Sequence, residues 1–103
     1  MRVMVKFAFP VESGNAAIRS GKVAKVFEQI MTDLKPEAAY FYPTNGLRGG
    51  HIVLNMADSS KIADTAERFF IGLNATVEMV PVMAPDDLEK GLAGVDAIAK
   101  AYG

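Results

Sequence analysis

A strand-helix-strand pattern occurs twice in this chain, and the two copies are joined across Thr44-Asn45-Gly46-Leu47-Arg48-Gly49-Gly50. No other feature limits the fold as tightly. In the first copy Arg2 to Phe9 alternates, with Val3, Val5, Phe7 and Phe9 on one face and Met4, Lys6 and Ala8 on the other. A period of two predicts a strand. Pro10 ends it, and Val11-Glu12-Ser13-Gly14-Asn15 reads as a loop. Val23, Val26, Phe27, Ile30 and Leu34 then keep helical spacing up to Lys35-Pro36. Ser20-Gly21 is a candidate break before this helix, with Ser20 as its N-cap. Ala38 to Tyr42 is a short strand, with Tyr40 and Tyr42 opposite Ala39 and Phe41.

In the second copy Ile52, Leu54 and Met56 alternate with His51, Val53 and Asn55 over a strand from His51 to Ala57. Asp58 is a fitting N-cap for a helix with the stripe Ile62, Ala66, Phe69, Phe70 and Leu73. Gly72 and Asn74 tolerate the left-handed conformation that ends helices. Thr76 to Met83 is the fourth strand. Its Pro81 cannot donate to a ladder, so the strand belongs at a sheet edge. Pro85-Asp86-Asp87 opens a last helix with the stripe Leu88, Leu92, Val95, Ile98 and Tyr102. Gly91 and Gly94 each cost about 1 kcal/mol there relative to Ala. They fit close packing, a kink or a weak helix.

The order βαββαβ is the split β-α-β arrangement called ferredoxin-like, an α+β fold with sheet order 4-1-3-2. Strand four is an edge in that order, which agrees with Pro81. The 103 residues make one domain, 1–103. At 11.1 kDa a compact monomer exposes about 5,700 Å² and buries roughly 65% of its unfolded surface. There is no Cys, hence no disulfide, thiolate nucleophile or cysteine metal site. A net charge of -1 lacks the basic footprint of a nucleic-acid binder. No segment approaches the ~20 apolar residues of a membrane span, and no secretory signal is visible. The expectation is a soluble cytoplasmic protein with neither nucleic-acid nor membrane partner.

Two helices cover one sheet face, that of Val3, Val5, Phe7, Ile52, Leu54 and Met56. The other face then carries Met4, Lys6, Ala8, His51, Val53 and Asn55, joined by Tyr40 and Tyr42 and, from strand four, Glu78. Four strands present roughly 350 Å² in projection, at the upper range for an exposed apolar patch. A second copy packed sheet to sheet would bury it as a dimeric α+β barrel. The final helix folded over the sheet is the alternative.

The element order, the strand entry Arg48-Gly49-Gly50-His51-Ile52-Val53, and Phe69-Phe70-Ile71-Gly72-Leu73-Asn74-Ala75 leading to Val80-Pro81-Val82-Met83 carry a resemblance. The chain resembles small uncharacterised bacterial proteins of the ferredoxin-like, dimeric α+β-barrel kind. That resemblance implies a homodimer. The superfamily holds muconolactone-isomerase-like enzymes, haem-degrading monooxygenases and proteins of no known activity, so fold alone selects no chemistry.

His51, the only histidine, is a candidate acid-base group or haem ligand. A sheet-edge residue after a Gly-Gly turn is the plainer reading. One histidine makes no multi-histidine metal site, so no metal and no cofactor is expected. Lys6 and Glu78 read either as a pocket pair, with Glu78 a base raised by burial, or as a cross-strand ion pair that fixes register. Tyr40, Tyr42 and Asn55 suit either orienting a ligand oxygen or lining a dimer interface. Ser13-Gly14-Asn15 with Arg19 weakly resembles the anion loop of acylphosphatases but lacks its glycine-rich length; an ordinary helix entry is preferred. Gly50 and Ile52 stand where RNA-recognition strands need rings, so RNA binding is set aside. The scattered methionines read as core filler.

The expected function is therefore binding of a small organic molecule near the uncovered face. A non-catalytic interaction or regulatory module is one alternative, and a cofactor-free isomerase or monooxygenase-like enzyme is another.

Overall fold

Every second side chain of β1 (Arg2–Phe9) is buried: Val3, Val5, Phe7 and Phe9 are at most 4% exposed, while their neighbours are half-buried. That alternation is the signature of a sheet with one covered face. The computed structural model describes Met1 to Gly103. After β1 come α1 (Val11–Arg19), α2 (Lys22–Leu34), β2 (Ala38–Thr44), β3 (Leu47–Asn55), α3 (Lys61–Leu73) and β4 (Thr76–Pro81). The chain ends in α4 (Pro85–Gly91), a 3-10 turn at Leu92–Gly94, and α5 (Val95–Tyr102). The strands form one antiparallel sheet of order β2-β3-β1-β4, the expected α+β order read from the other edge. Pro81 closes β4 at that edge, where a missing N–H is tolerated.

The core lies between the sheet and α2 and α3. Val5, Ile52 and Phe69 are fully buried, and Ile30, Leu54, Met56 and Leu73 surround them. Phe7 stacks on Phe69 at 5.0 Å between ring centres and tilts against Phe27 at 5.3 Å.

Several boundaries differ from the sequence reading. Residues 11 to 15 are not a loop but the start of α1, with Glu12 in its first turn and Arg19 in its last, where each charge suits the helix dipole. Gly14 is needed inside this helix because a Cβ there would lie 3.0 Å from Arg48 Nη1 and 3.1 Å from the Phe9 ring. The break at Ser20-Gly21 is real, with Gly21 at φ 79°. Gly21 rather than Ser20 takes the N-cap position of α2, and the Ser20 hydroxyl donates to the Ala17 carbonyl of α1.

The glycine-rich turn shrinks to Asn45 and Gly46. Both have positive φ, 52° and 76°, as a type I′ hairpin needs. Leu47 to Gly50 belong to β3 instead. Gly49 and Gly50 are needed there because a Cβ would run into the Phe7 and Tyr40 carbonyls respectively.

Helix α3 starts at Lys61, with Ser60 rather than Asp58 at the N-cap position and Asp58 two residues ahead. Asp58 accepts the Ser60 N–H at 2.9 Å and the Ser60 hydroxyl as well, and this holds its carboxyl below the usual range. Thr65, Ala66, Phe69 and Leu73 form its buried stripe, whereas Ile62 and Phe70 stay 49% and 43% exposed. Asn74, at φ 53°, ends it as expected.

The last helix does not fold over the sheet. No residue from Pro85 to Tyr102 is buried. The segment projects as an arm, interrupted by the 3-10 turn between its two glycines, and the molecule measures 59 × 28 × 21 Å. Its radius of gyration is 17.2 Å, against about 13 Å for a compact chain of this length. The exposed surface is 7,020 Å², about 1,300 Å² more than the area expected of a compact monomer.

Candidate functional site

Directly opposed residues in an antiparallel sheet share a face. On the face that no helix covers, β4, β1, β3 and β2 therefore contribute Glu78, Lys6, His51 and Tyr40 as one continuous row. The placement of Glu78 beside Lys6 holds. One register step away, Tyr42 stands opposite Gly49. With no side chain beneath it, the Tyr42 ring leans diagonally onto His51: its hydroxyl is 2.8 Å from Nδ1, and the ring centres are 5.5 Å apart. The Tyr40 ring lies against the other side of the row, also 5.5 Å from the imidazole.

This geometry fixes what His51 can offer. If the tyrosine donates to Nδ1, the imidazole proton sits on Nε2, leaving an N–H donor on the residue paired with Lys6. A depression of about 290 Å³ opens next to it, lined by Lys6, Tyr42, Thr44, Asn45, Thr76 and Glu78 among others. The arrangement suits a small molecule with an acidic oxygen and a flat body, the oxygen taken by Lys6 and His51 and the body laid on tyrosine.

Lys6 and Glu78 approach to 3.8 Å with both side chains open to water, 44% and 69% exposed. The burial that would make Glu78 a raised base is therefore missing, and the pair acts as a cross-strand contact of about 0–1 kcal/mol. Asn55 lies apart from the row. It sits at the far end of β3, and its Oδ1 accepts from the Met1 ammonium at 2.9 Å. Ser13, Gly14 and Asn15 lie inside helix α1 and form no anion loop, and Asn15 accepts from Arg48 Nη2 at 2.8 Å. Arg19 takes no part in that contact.

Thr76 is the residue that the sequence reading missed. It faces Ala8 and lines the depression, and its hydroxyl donates to the Ala8 carbonyl at 3.2 Å. The parity that places Glu78 on this face places Thr76 there too.

A larger cavity, about 800 Å³, lies at the base of the arm. Most of its charges are matched, Lys35 excepted. Arg2 Nε donates to Glu37 at 2.5 Å and Nη1 lies 3.7 Å from Asp87, while Met1 is held by Asn55. The row on the open face brings a lysine, the histidine and two tyrosines together and is the better candidate. No group of three or more His, Cys, Asp or Glu side chains is arranged to hold a metal ion. No helix is long and apolar enough to cross a membrane. No protein-family model matches the chain, and neither a curated protein nor a solved structure is significantly similar to it.

Proposed function

We propose that this ferredoxin-like chain binds a small organic molecule on the open sheet face of a homodimer, at the end carrying Lys6, Tyr40, Tyr42 and His51. The contact from the Tyr42 hydroxyl to His51 Nδ1 is the observation that carries the reading. It holds a titratable ring on the open face, next to Lys6 and Tyr42 of the depression, without a core role to explain it. The preferred ligand is a carboxylic acid or phenol with a planar body. Any reaction there is cofactor-free acid-base work by His51, with Tyr42 as its positioning residue.

The dimer is supported by the surplus of about 1,300 Å² of exposed surface, more than the roughly 800 Å² that each partner buries in a standard interface. A second copy over the open face encloses the row, either sheet to sheet as a dimeric α+β barrel or through another element. The exposed apolar arm favours a second reading as well, in which the chain is an interaction or regulatory module whose ligand acts on assembly.

Two-dimensional NMR with a panel of small carboxylic acids and phenols tests the binding. Shifts centred on Lys6, Tyr42 and His51, lost in His51→Ala, are the expected result. Binding elsewhere, or binding that His51→Ala leaves untouched, would remove the site.

A further inference from the structure

We infer that the C-terminal arm crosses to a second copy of the chain and lays its apolar stripe on the apolar half of that copy's open sheet face. The inference rests on the reading that a second copy covers this face, and it names the element that does so.

The open face is divided. Toward the end where β1 starts and β4 finishes, one register row runs Ala38, Val53, Met4 and Val80, with no polar side chain. The adjoining row is the polar one, Tyr40, His51, Lys6 and Glu78. The apolar row lacks a cover in its own chain.

The arm carries the matching surface. Leu88, Leu92, Val95, Ile98 and Tyr102 are 44% to 89% exposed, at spacings that keep them on one side of a helix. From Pro85 to Tyr102 a helix is about 27 Å long, and four strands span about 19 Å across. One arm therefore crosses the whole row.

The arm lies off its own sheet: no residue from Pro85 to Tyr102 is buried, and its tie to the strands is the exposed contact from Arg2 to Asp87 at 3.7 Å. The surplus of exposed area, about 1,300 Å², exceeds the roughly 800 Å² that each partner buries in a standard interface. Gly91 and Gly94 sit at the 3-10 turn, and a Cβ at either would meet nothing within 4 Å in one chain. Both positions permit close approach of a second backbone.

An arm on the apolar row borders the polar row on the side away from the depression and leaves the depression open.

The chain has no cysteine, so engineered pairs report cleanly. Val53→Cys/Val95→Cys in the full chain should give a disulfide-linked dimer on oxidation, with neither single variant doing so. Leu92→Asp/Val95→Asp should weaken the dimer about 100-fold or more by sedimentation while far-UV circular dichroism shows a folded body. A dimer that survives this double substitution, or that cross-links through Val53→Cys alone, overturns the arm assignment and leaves the dimer standing. A monomer at high micromolar concentration overturns both.

Discussion

The Tyr42 hydroxyl reaches His51 Nδ1, 2.8 Å away, across the bare backbone of Gly49. The contact lies on an exposed sheet face, so its loss is felt in recognition before stability. Tyr42→Phe is expected to weaken binding of a carboxylic acid or phenol at this face about fivefold, roughly 1 kcal/mol, with an unchanged urea midpoint. Nitrogen NMR of the imidazole should show a smaller share of the Nε2–H tautomer. An unaltered tautomer ratio together with unaltered affinity would argue that the hydroxyl does not position the ring.

Gly50 and Gly46 make different demands on the same hairpin. A Cβ at Gly50 meets the Tyr40 carbonyl and comes within 3.1 Å of the Phe7 ring, so β2 must be pushed off β3. Gly50→Ala should cost about 1–3 kcal/mol in urea unfolding and disturb the Tyr40 and His51 resonances. At Gly46 there is open space, and only the positive φ of 76° resists a side chain. Gly46→Ala should cost about 1 kcal/mol and leave those resonances in place. Equal costs at the two sites would contradict the close strand approach.

Asp58 gives a pH signature. Its carboxyl is held low first by the Ser60 hydroxyl and then by the Ser60 N–H. A lowered folded value means stabilisation that is complete above the unfolded value of about 3.9 and lost as pH falls through the folded one. Ser60→Ala should therefore be less stable than the wild type at neutral pH and converge with it near pH 2. The effect is small because the group is exposed, and part survives through the backbone bond. A gap that persists in acid would assign the loss to something other than the carboxylate.

Gly91→Ala and Gly94→Ala separate the isolated arm from the docked one. In the single chain nothing opposes the new methyl groups, and each substitution favours the helix by about 1 kcal/mol. Circular dichroism of dilute protein should show more helix. If a second backbone packs against these positions, the same variants should form a weaker dimer by sedimentation. Greater helicity with unweakened association would leave the glycines as a simple kink.

The covered half of the fold was easy to read in the residues. Val3, Val5, Phe7, Ile52 and Leu54 alternate because one face is apolar and the other is not, and Pro81 can end a strand only at an edge. Local boundaries were harder. Ser13-Gly14-Asn15 has loop composition, yet it forms helix because Gly14 must admit Arg48 and Phe9. Gly49-Gly50 has turn composition, yet it pairs as strand because its neighbours crowd it. Tertiary contact decides both, and no short window contains it. For the site, strand parity placed Lys6, His51, Tyr40 and Glu78 on one face. It could not exclude Asn55, whose side chain is taken by the chain's own amino terminus through a contact 54 residues distant in sequence.

The two-residue turn at Asn45-Gly46 acts as the ruler of the open face. It fixes Tyr40 opposite His51 and Tyr42 opposite Gly49. A single residue added to β2 beyond the turn would send both tyrosines to the helix side and bring Phe41 out in their place. The core would register the change too, because Phe41 packs edge-on against Phe27 at 5.0 Å and Phe7 at 6.1 Å. The length of one hairpin thus sets both which side chains the open face presents and which reach the core.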